Sequence, residues 1–377
     1  MKIIYITDQI HQHGGAEKIL IQKLNYWVEH YGYDVLLVTS QQLGKQPFLP
    51  LDEKVQWIDL GINYENGVSF LSVSSLKKFP RHILKLRKTI QDFKPDATFL
   101  VSLNMIRFAL PFISGKYKIY NEYHTSHYGF GLLYERLSLM HKIKRRVSNA
   151  LIGFVESFYT NVIFLNEAEF RYYNRKNAVV IPNFFDESKE LPVLPKKNQI
   201  ITLGRLCFQK GYDLLIDVWE IVDREQTGWT LEIFGNGEDH EALAQKIEAK
   251  KLSHSLHLNP ATDQVNHKLA ESKFYVMSSR TDTFPMALLE AMSNKLPIVS
   301  FDCPTGPASI ITPGEDGILV ENGNIEALAQ QIIQLIPNEK LQIEMSENAA
   351  RNVKRFSPKH VMAKWDELIK SNLKAKK

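Results

Sequence analysis

The chain has 377 residues, more than one hydrophobic core usually supports, so two domains are expected. It is 44% hydrophobic and 23% charged, which is ordinary for a soluble globular protein. Cys207 and Cys303 alone exclude a disulfide framework or a thiolate metal site and suit a reducing cytoplasm. The start MKIIYIT predicts no signal peptide, and no run approaches the roughly 18 apolar residues of a membrane span.

The net charge of +4 hides an uneven distribution. Residues 72–146 hold 15 Lys and Arg against 4 Asp and Glu. Within them, 74–90 and 135–147 interleave bases with Leu, Ile, Phe or Met at helical spacing, as in helices that bind anionic membrane surfaces. A solvated basic helix face explains the pattern equally well. Nucleic acid ranks last because the sequence carries no RNA- or DNA-binding module signature, so no nucleic-acid partner is expected.

The first half of the chain alternates strands and helices. It opens with a βαβ unit made of KIIYIT, the loop DQIHQHGGAE, the helix KILIQKLNYWVEHYG and the strand DVLLVTS. Later strands are predicted at WIDL, ATFLVS (97–102), KIYNEYHTS (118–126), NVIFLN (161–166) and VVIPNFF (179–185). A basic helix follows WIDL, and a long helical region precedes NVIFLN. The polar stretch 186–198 is interpreted as a linker.

The pattern then restarts. Strands are predicted at IITLGR (200–205), TLEIFGNG (230–237), SLHLNP, FYVMSS (274–279), PIVSF (297–301) and GILV (317–320), with helices between them. The last helix is predicted over 357–373, with Ser357 as its cap and Pro358 at its first position. This alternation predicts two doubly wound α/β domains with parallel sheets, residues 1–185 and 186–356.

Ligands of open α/β sheets bind beyond the C-terminal strand ends, so the residues after each strand are the candidates. Gly15 belongs to GGAE at a helix start, where backbone N–H groups point at an anion. Arg205 and Lys210 flank one strand-to-helix turn and together could grip a diphosphate. A surface base beside a loop is the alternative for each of them alone.

The segment DTFPMALLE places Asp282 and Glu290 eight residues apart, on one side of a helix that starts near Pro285. The first carboxylate, or Thr283, could cap that helix. Taken alone, the segment favours a plain helix with an acidic cap and a solvated Glu. A second Gly-Pro turn, CPTGPAS (303–309), predicts another helix opening at Ser309–Ile311.

Other loops contribute less. Glu122 and His124 follow a strand, where a His could contact substrate or act as a weak base, and a structural His is as probable. His127, three residues further on, is a weaker candidate for these roles. GNGED (235–239) lacks the third glycine of a dinucleotide fingerprint because His240 stands there. The sequence also lacks H-E-x-x-H, C-x-x-C and a strand-end Asp-x-Asp, so no metal site is predicted.

Together these segments resemble the retaining family-4 nucleotide-sugar glycosyltransferases of GT-B fold. The resemblance runs along nearly the whole chain, through GGAEK, IPN (181–183), GRLCFQKG (204–211), IFGNGED (233–239) and SSRTDTFPMALLEAMSNKLPIVSFDCPTGPASII (278–311). Its specific part is GRLxxxKG followed by two carboxylates at E-x7-E spacing. The resemblance implies two Rossmann-like domains facing across a cleft, with residues 357–377 returning to the N-terminal domain.

The resemblance also implies site roles. Arg205 and Lys210 match the diphosphate-binding pair, Asp282 the acid near the donor sugar hydroxyls, and Glu290 the ribose ligand. The donor-binding set is completed by Gly15, Gly235, Phe284, Pro285 and Met286, and the catalytic set by His124. The chain departs from the family pattern in having Asp282 for Glu, Thr283 for Gly and Ser309 for Glu, and these changes bear on which sugar is bound.

The implied function is retaining transfer of a hexose or N-acetylhexosamine from a UDP-sugar, with no metal and no cofactor beyond the donor. CPTGP resembles bacterial enzymes that build cell-surface polysaccharide, lipopolysaccharide or lipid-linked glycans. A glycan or lipid-linked acceptor follows, and a cytoplasmic location, peripheral on the inner membrane face through 72–146. A UDP-sugar epimerase and a non-catalytic sugar-nucleotide-binding subunit remain alternatives. An NAD dehydrogenase is a distant third because of His240.

Overall fold

The computed structural model describes residues 1–12, 14–65, 72–101, 104–125, 139–186 and 191–375. Within these ranges, thirteen strands form two sheets, one of seven strands and one of six, and all strand pairs are parallel. The predicted pair of doubly wound domains is thereby confirmed. The division at residues 185 and 186 stays a prediction.

The N-terminal sheet has the strand order β3-β2-β1-β4-β5-β6-β7. Its strands are β1 Lys2–Ile6, β2 Asp34–Thr39, β3 Gln56–Asp59, β4 Ala97–Leu100, β5 Lys118–Glu122, β6 Asn161–Phe164 and β7 Ala178–Val180. Its helices are α1 Gly15–His30, α2 Val73–Phe93, α3 Ile106–Ile113, α4 Leu139–Glu156 and α5 Glu167–Tyr173. The inner strands are nearly all apolar because helices cover both faces of the sheet.

The C-terminal sheet has the order β10-β9-β8-β11-β12-β13. Its strands are β8 Gln199–Leu203, β9 Thr230–Phe234, β10 Leu256–Asn259, β11 Phe274–Met277, β12 Ile298–Asp302 and β13 Gly317–Glu321. The helices are α6 Tyr212–Glu225, α7 His240–Ala249, α8 Val265–Glu271, α9 Met286–Ser293, α10 Ile325–Leu335, α11 Glu339–Asn352 and α12 Pro358–Lys374. Short 3-10 helices span Phe208–Lys210, Pro307–Ser309 and Val353–Phe356.

The last helix, α12, returns to the N-terminal domain. Its apolar side joins the core beneath α1, where Trp365 is 2% exposed. The Trp365 ring meets Phe99 of β4 edge-on at 5.6 Å between centroids. Tyr33 donates a hydrogen bond to Asp366, and Asn372 donates one to Asn161. This confirms the crossing that the resemblance implied.

Three local expectations need correction. Pro285 is the N-cap of α9 and not its first helical residue, and no side chain caps this helix. The turn after β12 forms a 3-10 helix over Pro307–Ser309 in place of a helix at Ser309–Ile311. Ser357 is the N-cap of α12, but its hydroxyl lies 2.6 Å from Nδ1 of His360 and does not cap the backbone. For Ser357, the side chain of His360 replaces the backbone N–H as the partner of the hydroxyl.

Part of the basic segment predicted over 72–146 lies outside the described residues, at 102–103 and 126–138, and so does His127. Among the residues that are described, no helix is long and apolar enough to cross a bilayer.

The anchoring of α12 can be tested with Trp365→Ala. Removing this buried ring leaves a cavity against Phe99, so the free energy of unfolding should fall by about 3–5 kcal/mol. Urea unfolding followed by circular dichroism measures the change. Glu367→Ala, an exposed change on the same helix, should stay within about 0.5 kcal/mol of the parent. Equal losses in both variants would contradict the docking of α12.

Candidate active site

The first contact of the site joins two loops at the C-terminal edge of the second sheet. β8 and β11 are neighbouring parallel strands, so the loops after them leave the sheet side by side. Lys210 follows β8 and Asp282 follows β11, and Lys210 Nζ lies 2.6 Å from Asp282 Oδ2. Burial lowers the pKa of Lys210, but Asp282 outweighs it and raises that pKa above its ordinary value. Lys210 is therefore a fixed cation at neutral pH.

Arg280 clamps these two loops together. Its guanidinium donates to both oxygens of Asp213, at 2.7 and 2.6 Å, and to the carbonyl of Phe208 at 2.8 Å. Asp213 lies in the first turn of α6, immediately after Lys210-Gly211. A bidentate Arg–carboxylate pair fixes direction as well as distance, so Arg280 sets where the Lys210 loop lies.

The loop after β12 closes over the same point. Thr305 Oγ1 donates to the carbonyl of Asp282 at 3.1 Å, although Thr305 itself has φ of +87°, a strained value for a β-branched residue. Gly306 packs so closely that an added Cβ would lie 2.3 Å from the Asp282 carbonyl oxygen. The predicted CPTGP turn therefore supports the backbone at Asp282 by direct contact.

Arg205 is more open than Lys210. Its side chain is 71% exposed, and its nearest charged partner is Glu238, 3.0 Å away in the loop after β9. Gly235 begins that loop, and an added Cβ there would lie 1.9 Å from the Gly204 carbonyl oxygen. Close packing of the two strand exits thus explains this glycine, and its assignment to donor binding stays a prediction.

Glu290 faces the N-terminal domain. Lys18 Nζ of α1 lies 3.5 Å from Glu290 Oε1 of α9, across the cleft. Both line a cavity of about 620 Å³ together with Met286. Gly15, at the first position of α1, has open space where its side chain would be. Among the described residues, the ion pair of Lys18 with Glu290 thus bridges the cleft at this cavity.

Phe284 lies at a second opening between the halves. It lines a cavity of about 770 Å³ together with Asn166, Arg171, Thr305 and Ser309. Asn166 Nδ2 donates to the Thr283 carbonyl at 2.9 Å, a direct link between the loop after β6 and the one after β11.

His124 belongs to a buried charged cluster in the N-terminal domain. Glu122 Oε2 accepts from Lys23 Nζ at 2.7 Å and lies 3.1 Å from His124 Nε2. The Lys23 ammonium also lies 4.0 Å from the Trp365 ring centroid. Burial raises the pKa of Glu122, but Lys23 and His124 outweigh it and hold that pKa below its usual range. His124 is thereby fixed on one side, and Nδ1 has no hydrogen-bond partner in the described part of the chain.

The structure brings Lys210 into contact with Asp282, and it places Met286 and Glu290 on one cavity. His124 and Gly15 belong to the N-terminal domain, and Arg205 has its own partner. Sequence reasoning missed three residues, Lys18, Lys23 and Arg280. Lys18 completes GGAEK and Arg280 stands in SSRT, so motif position was a signal for both, whereas Lys23 looked like any helix base. Within the described ranges, no three His, Cys, Asp or Glu could hold a metal ion.

Glu122→Gln tests the buried cluster. It leaves the Lys23 ammonium buried without its countercharge, so the free energy of unfolding should fall by about 3–5 kcal/mol at pH 7. The double variant Lys23→Met, Glu122→Gln should recover part of this loss, and the exposed Glu53→Gln should change little. Urea unfolding across pH measures all three.

The stabilisation that Glu122 contributes should depend on pH in a defined direction. The folded pKa of Glu122 is depressed, so its stabilisation is fully present above the unfolded value of about 4.3 and is lost as pH falls through the folded value. The difference between the parent and Glu122→Gln should therefore shrink below about pH 4. A difference independent of pH would contradict an ionised Glu122.

The chain is similar in sequence or in fold to several known glycosyltransferases. Residues 183–352 match the family described as glycosyl transferases group 1. The chain is 25% identical to the amylovoran biosynthesis glycosyltransferase AmsD of Erwinia amylovora, over 98% of this chain and 99% of that one. It is 25% identical to the lipopolysaccharide 1,6-galactosyltransferase of Escherichia coli K12, over 90% of each.

A solved structure of an S. aureus TarM mutant, in complex with fondaparinux, alpha-GlcNAc-glycerol and UDP, superposes with a TM-score of 0.75. It covers 98% of this chain and 100% of that chain at 17% sequence identity, so this likeness concerns the fold. The chain therefore has the two-domain GT-B fold, and residues 183–352 are similar to the group 1 glycosyl transferases.

Proposed function

We propose that the chain is a retaining, metal-independent hexosyltransferase. It would move a hexose or N-acetylhexosamine from a UDP-sugar to a glycan or lipid-linked glycan during synthesis of cell-surface polysaccharide. The observation that carries the proposal is the Lys210–Asp282 contact at the strand edge, with Glu290 on the same face of the cleft. The Erwinia relative is named for amylovoran biosynthesis, the E. coli relative for lipopolysaccharide, and the TarM structure holds UDP.

The departing diphosphate is where negative charge builds in the transition state, so fixed cations there lower the barrier most. Lys210 supplies a partly buried ammonium on a loop that Arg280 holds in place. Arg205 stands at the exit of the same strand, where its exposed fork would exchange Glu238 for a phosphate. These two residues would neutralise the leaving group.

Glu290 would bind the nucleotide ribose, and the donor would then replace the Lys18 ammonium at this carboxylate. Asp282 would orient the donor sugar. It is a poor nucleophile because one oxygen is already bound to Lys210, which favours direct attack by the acceptor hydroxyl from the face of the leaving group. The acceptor proton would pass to the leaving phosphate oxygen, and His124, held by Glu122, would lie on the opposite wall near the sugar.

A donor screen tests the proposal. UDP release is measured from several UDP-sugars, with and without an extract that contains acceptor glycans. Acceptor-dependent release, with the anomeric configuration kept in the product, is expected, and chelation of divalent metals should leave the rate unchanged. Conversion of the UDP-sugar without acceptor would indicate an epimerase instead, and donor binding without UDP release would indicate a binding subunit.

Two substitutions test the roles within the same assay. Lys210→Ala should lower kcat by about 100-fold or more, because it removes one preorganised cation from the leaving group. Glu290→Gln should mainly raise the donor KM, by about tenfold, through a weakened hydrogen bond to the ribose. The controls are Lys250→Ala, which breaks the ion pairs between Lys250, just after α7, and two carboxylates of α6, and Glu344→Gln on the surface. Near-parental kcat/KM in both site variants would place the site elsewhere.

Arg280→Lys tests the clamp. Lysine keeps the charge but loses the two-pronged contact with Asp213, so the Lys210 loop loosens and kcat should fall about tenfold. Arg224→Lys is the matched control, since Arg224 pairs with Glu220 on the outer face of α6. Circular dichroism should show both variants folded. An equal loss of activity in the two variants would mean that the contact between Arg280 and Asp213 does not position Lys210.

A further inference from the structure

The outer side of α4 carries an apolar stripe that no other described part of the chain covers. The residues that form it are more than half exposed and recur every three or four positions: Met140 65%, Ile143 54%, Val147 63%, Leu151 54% and Phe154 63%. At 3.6 residues per turn they fall within an arc of roughly 80°. A helix whose apolar stripe faces outward has no core to bury it in and needs another partner.

The stripe ends in an exposed cluster of aromatic rings. Phe154 meets Phe158 edge-on at 5.3 Å between ring centroids, and Phe158 meets Phe112 of α3 at 5.9 Å. Phe112 is 70% exposed and Phe158 50%. A contiguous apolar surface of this kind on a folded chain marks an interaction site, not a chance exposure.

Basic side chains border the stripe. The first half of α4, residues 140–148, is exposed on every side, and Lys144 and Arg146 lie next to the stripe on either flank. None of the four cations of this stretch forms an ion pair with the described residues: Lys142, Lys144, Arg145 and Arg146. The charge therefore remains available to a partner.

The neighbouring helices extend the same surface. α3 contacts both α4 and α2, so the three helices form one layer on the sheet. α2 adds exposed cations that also lack ion pairs among the described residues, namely Lys77, Arg81, Arg87 and Lys88. Leu84 of this helix is 67% exposed. Basic and apolar groups thus alternate over the whole layer.

We propose that this layer docks on an anionic lipid bilayer, with the stripe of α4 lying among the headgroups and its bases on lipid phosphates. An apolar stripe with flanking Lys and Arg is the chemistry of helices that lie in the membrane interface. A second copy fits less well, because a two-fold contact through α4 would bring two like basic patches together. Nucleic acid would match the cations but leave the aliphatic and aromatic surface unsatisfied.

Docking through α4 also fixes which edge of the sheet faces the lipid. The helices of parallel βαβ units run back antiparallel to their strands, so the start of α4 lies at the C-terminal edge of the sheet. That edge carries His124 and the cleft. A lipid-linked acceptor would then enter the cleft from the bilayer. This consequence rests on the proposed function, whereas docking itself does not.

The test is co-sedimentation of the full chain with vesicles of phosphatidylcholine, with or without phosphatidylglycerol. We expect binding to the anionic vesicles and at least tenfold weaker binding to the neutral ones. Neutralising Lys142, Lys144, Arg145 and Arg146 to Gln should weaken anionic binding at least tenfold, since each base near an anionic surface contributes about fivefold. High salt should weaken the parent similarly because it screens these charges.

A second variant separates the apolar contribution. Ile143→Ser, Val147→Ser and Phe154→Ser together should reduce the binding that survives in high salt. The matched control neutralises four exposed cations of α11 and α12 and the turn between them to Gln: Lys340, Arg351, Lys354 and Lys359. It should bind like the parent. All substituted side chains are exposed, and thermal melts check that the variants stay folded.

Three results would overturn the proposal: no preference of the parent for anionic vesicles, equal binding by the α4 variants and the control, or a parent dimer that the serine variant converts to a monomer. The last would assign the stripe to a second copy. None of these measurements needs a sugar donor, so failure of docking and failure of the proposed transferase activity are read out separately.

Discussion

The contact between Lys210 and Asp282 depends on the pairing of β8 with β11, and the C-terminal edge of the second sheet is organised around it. The two residues are 72 positions apart and meet because parallel neighbours release their loops at one edge. Arg280 then restrains one loop against the other through Asp213. The two loops of the proposed donor site are therefore joined directly to each other.

The N-terminal wall of the cleft is organised around a buried charge. Lys23 and Glu122 are each 3% exposed, an arrangement that is stable only when both partners are present. The pair ties together α1, the end of β5 and, through the Trp365 ring, the returning helix α12. His124 is therefore held by contacts that also fasten the last helix to this domain. The N-terminal wall of the cleft and the returning helix α12 therefore share one cluster of contacts.

Polar and apolar contacts join the two halves: Met286 of α9 packs against the N-terminal core, and Leu165 after β6 belongs to a core of the second domain. Lys18 reaches Glu290, and Asn166 reaches the backbone of Thr283. Each contact uses a group that belongs to, or adjoins, the predicted donor site. Binding a charged donor would exchange the Lys18–Glu290 pair for new contacts, so ligand binding and cleft geometry are coupled at that residue pair.

Much of this protein followed from the sequence alone. Alternating apolar and helical segments determined two parallel α/β domains, because strands buried on both faces must be apolar and crossovers must be long. Motif spacing placed Lys210, Asp282 and Glu290 after their strands. Local pattern could not decide that Asp282 pairs with Lys210 and not with the helix start, since that choice depends on strand order.

Only the tertiary structure shows which charged side chains are paired and which are exposed. Lys23 and Lys144 are both bases on amphipathic helices, yet one is buried against Glu122 and the other lies open beside an apolar stripe. The difference arises because α1 packs in one core with the sheet and α12, whereas the first half of α4 is exposed on every side. Periodicity tells which side of a helix is apolar. Only the assembled layers decide whether that side meets a core or remains exposed.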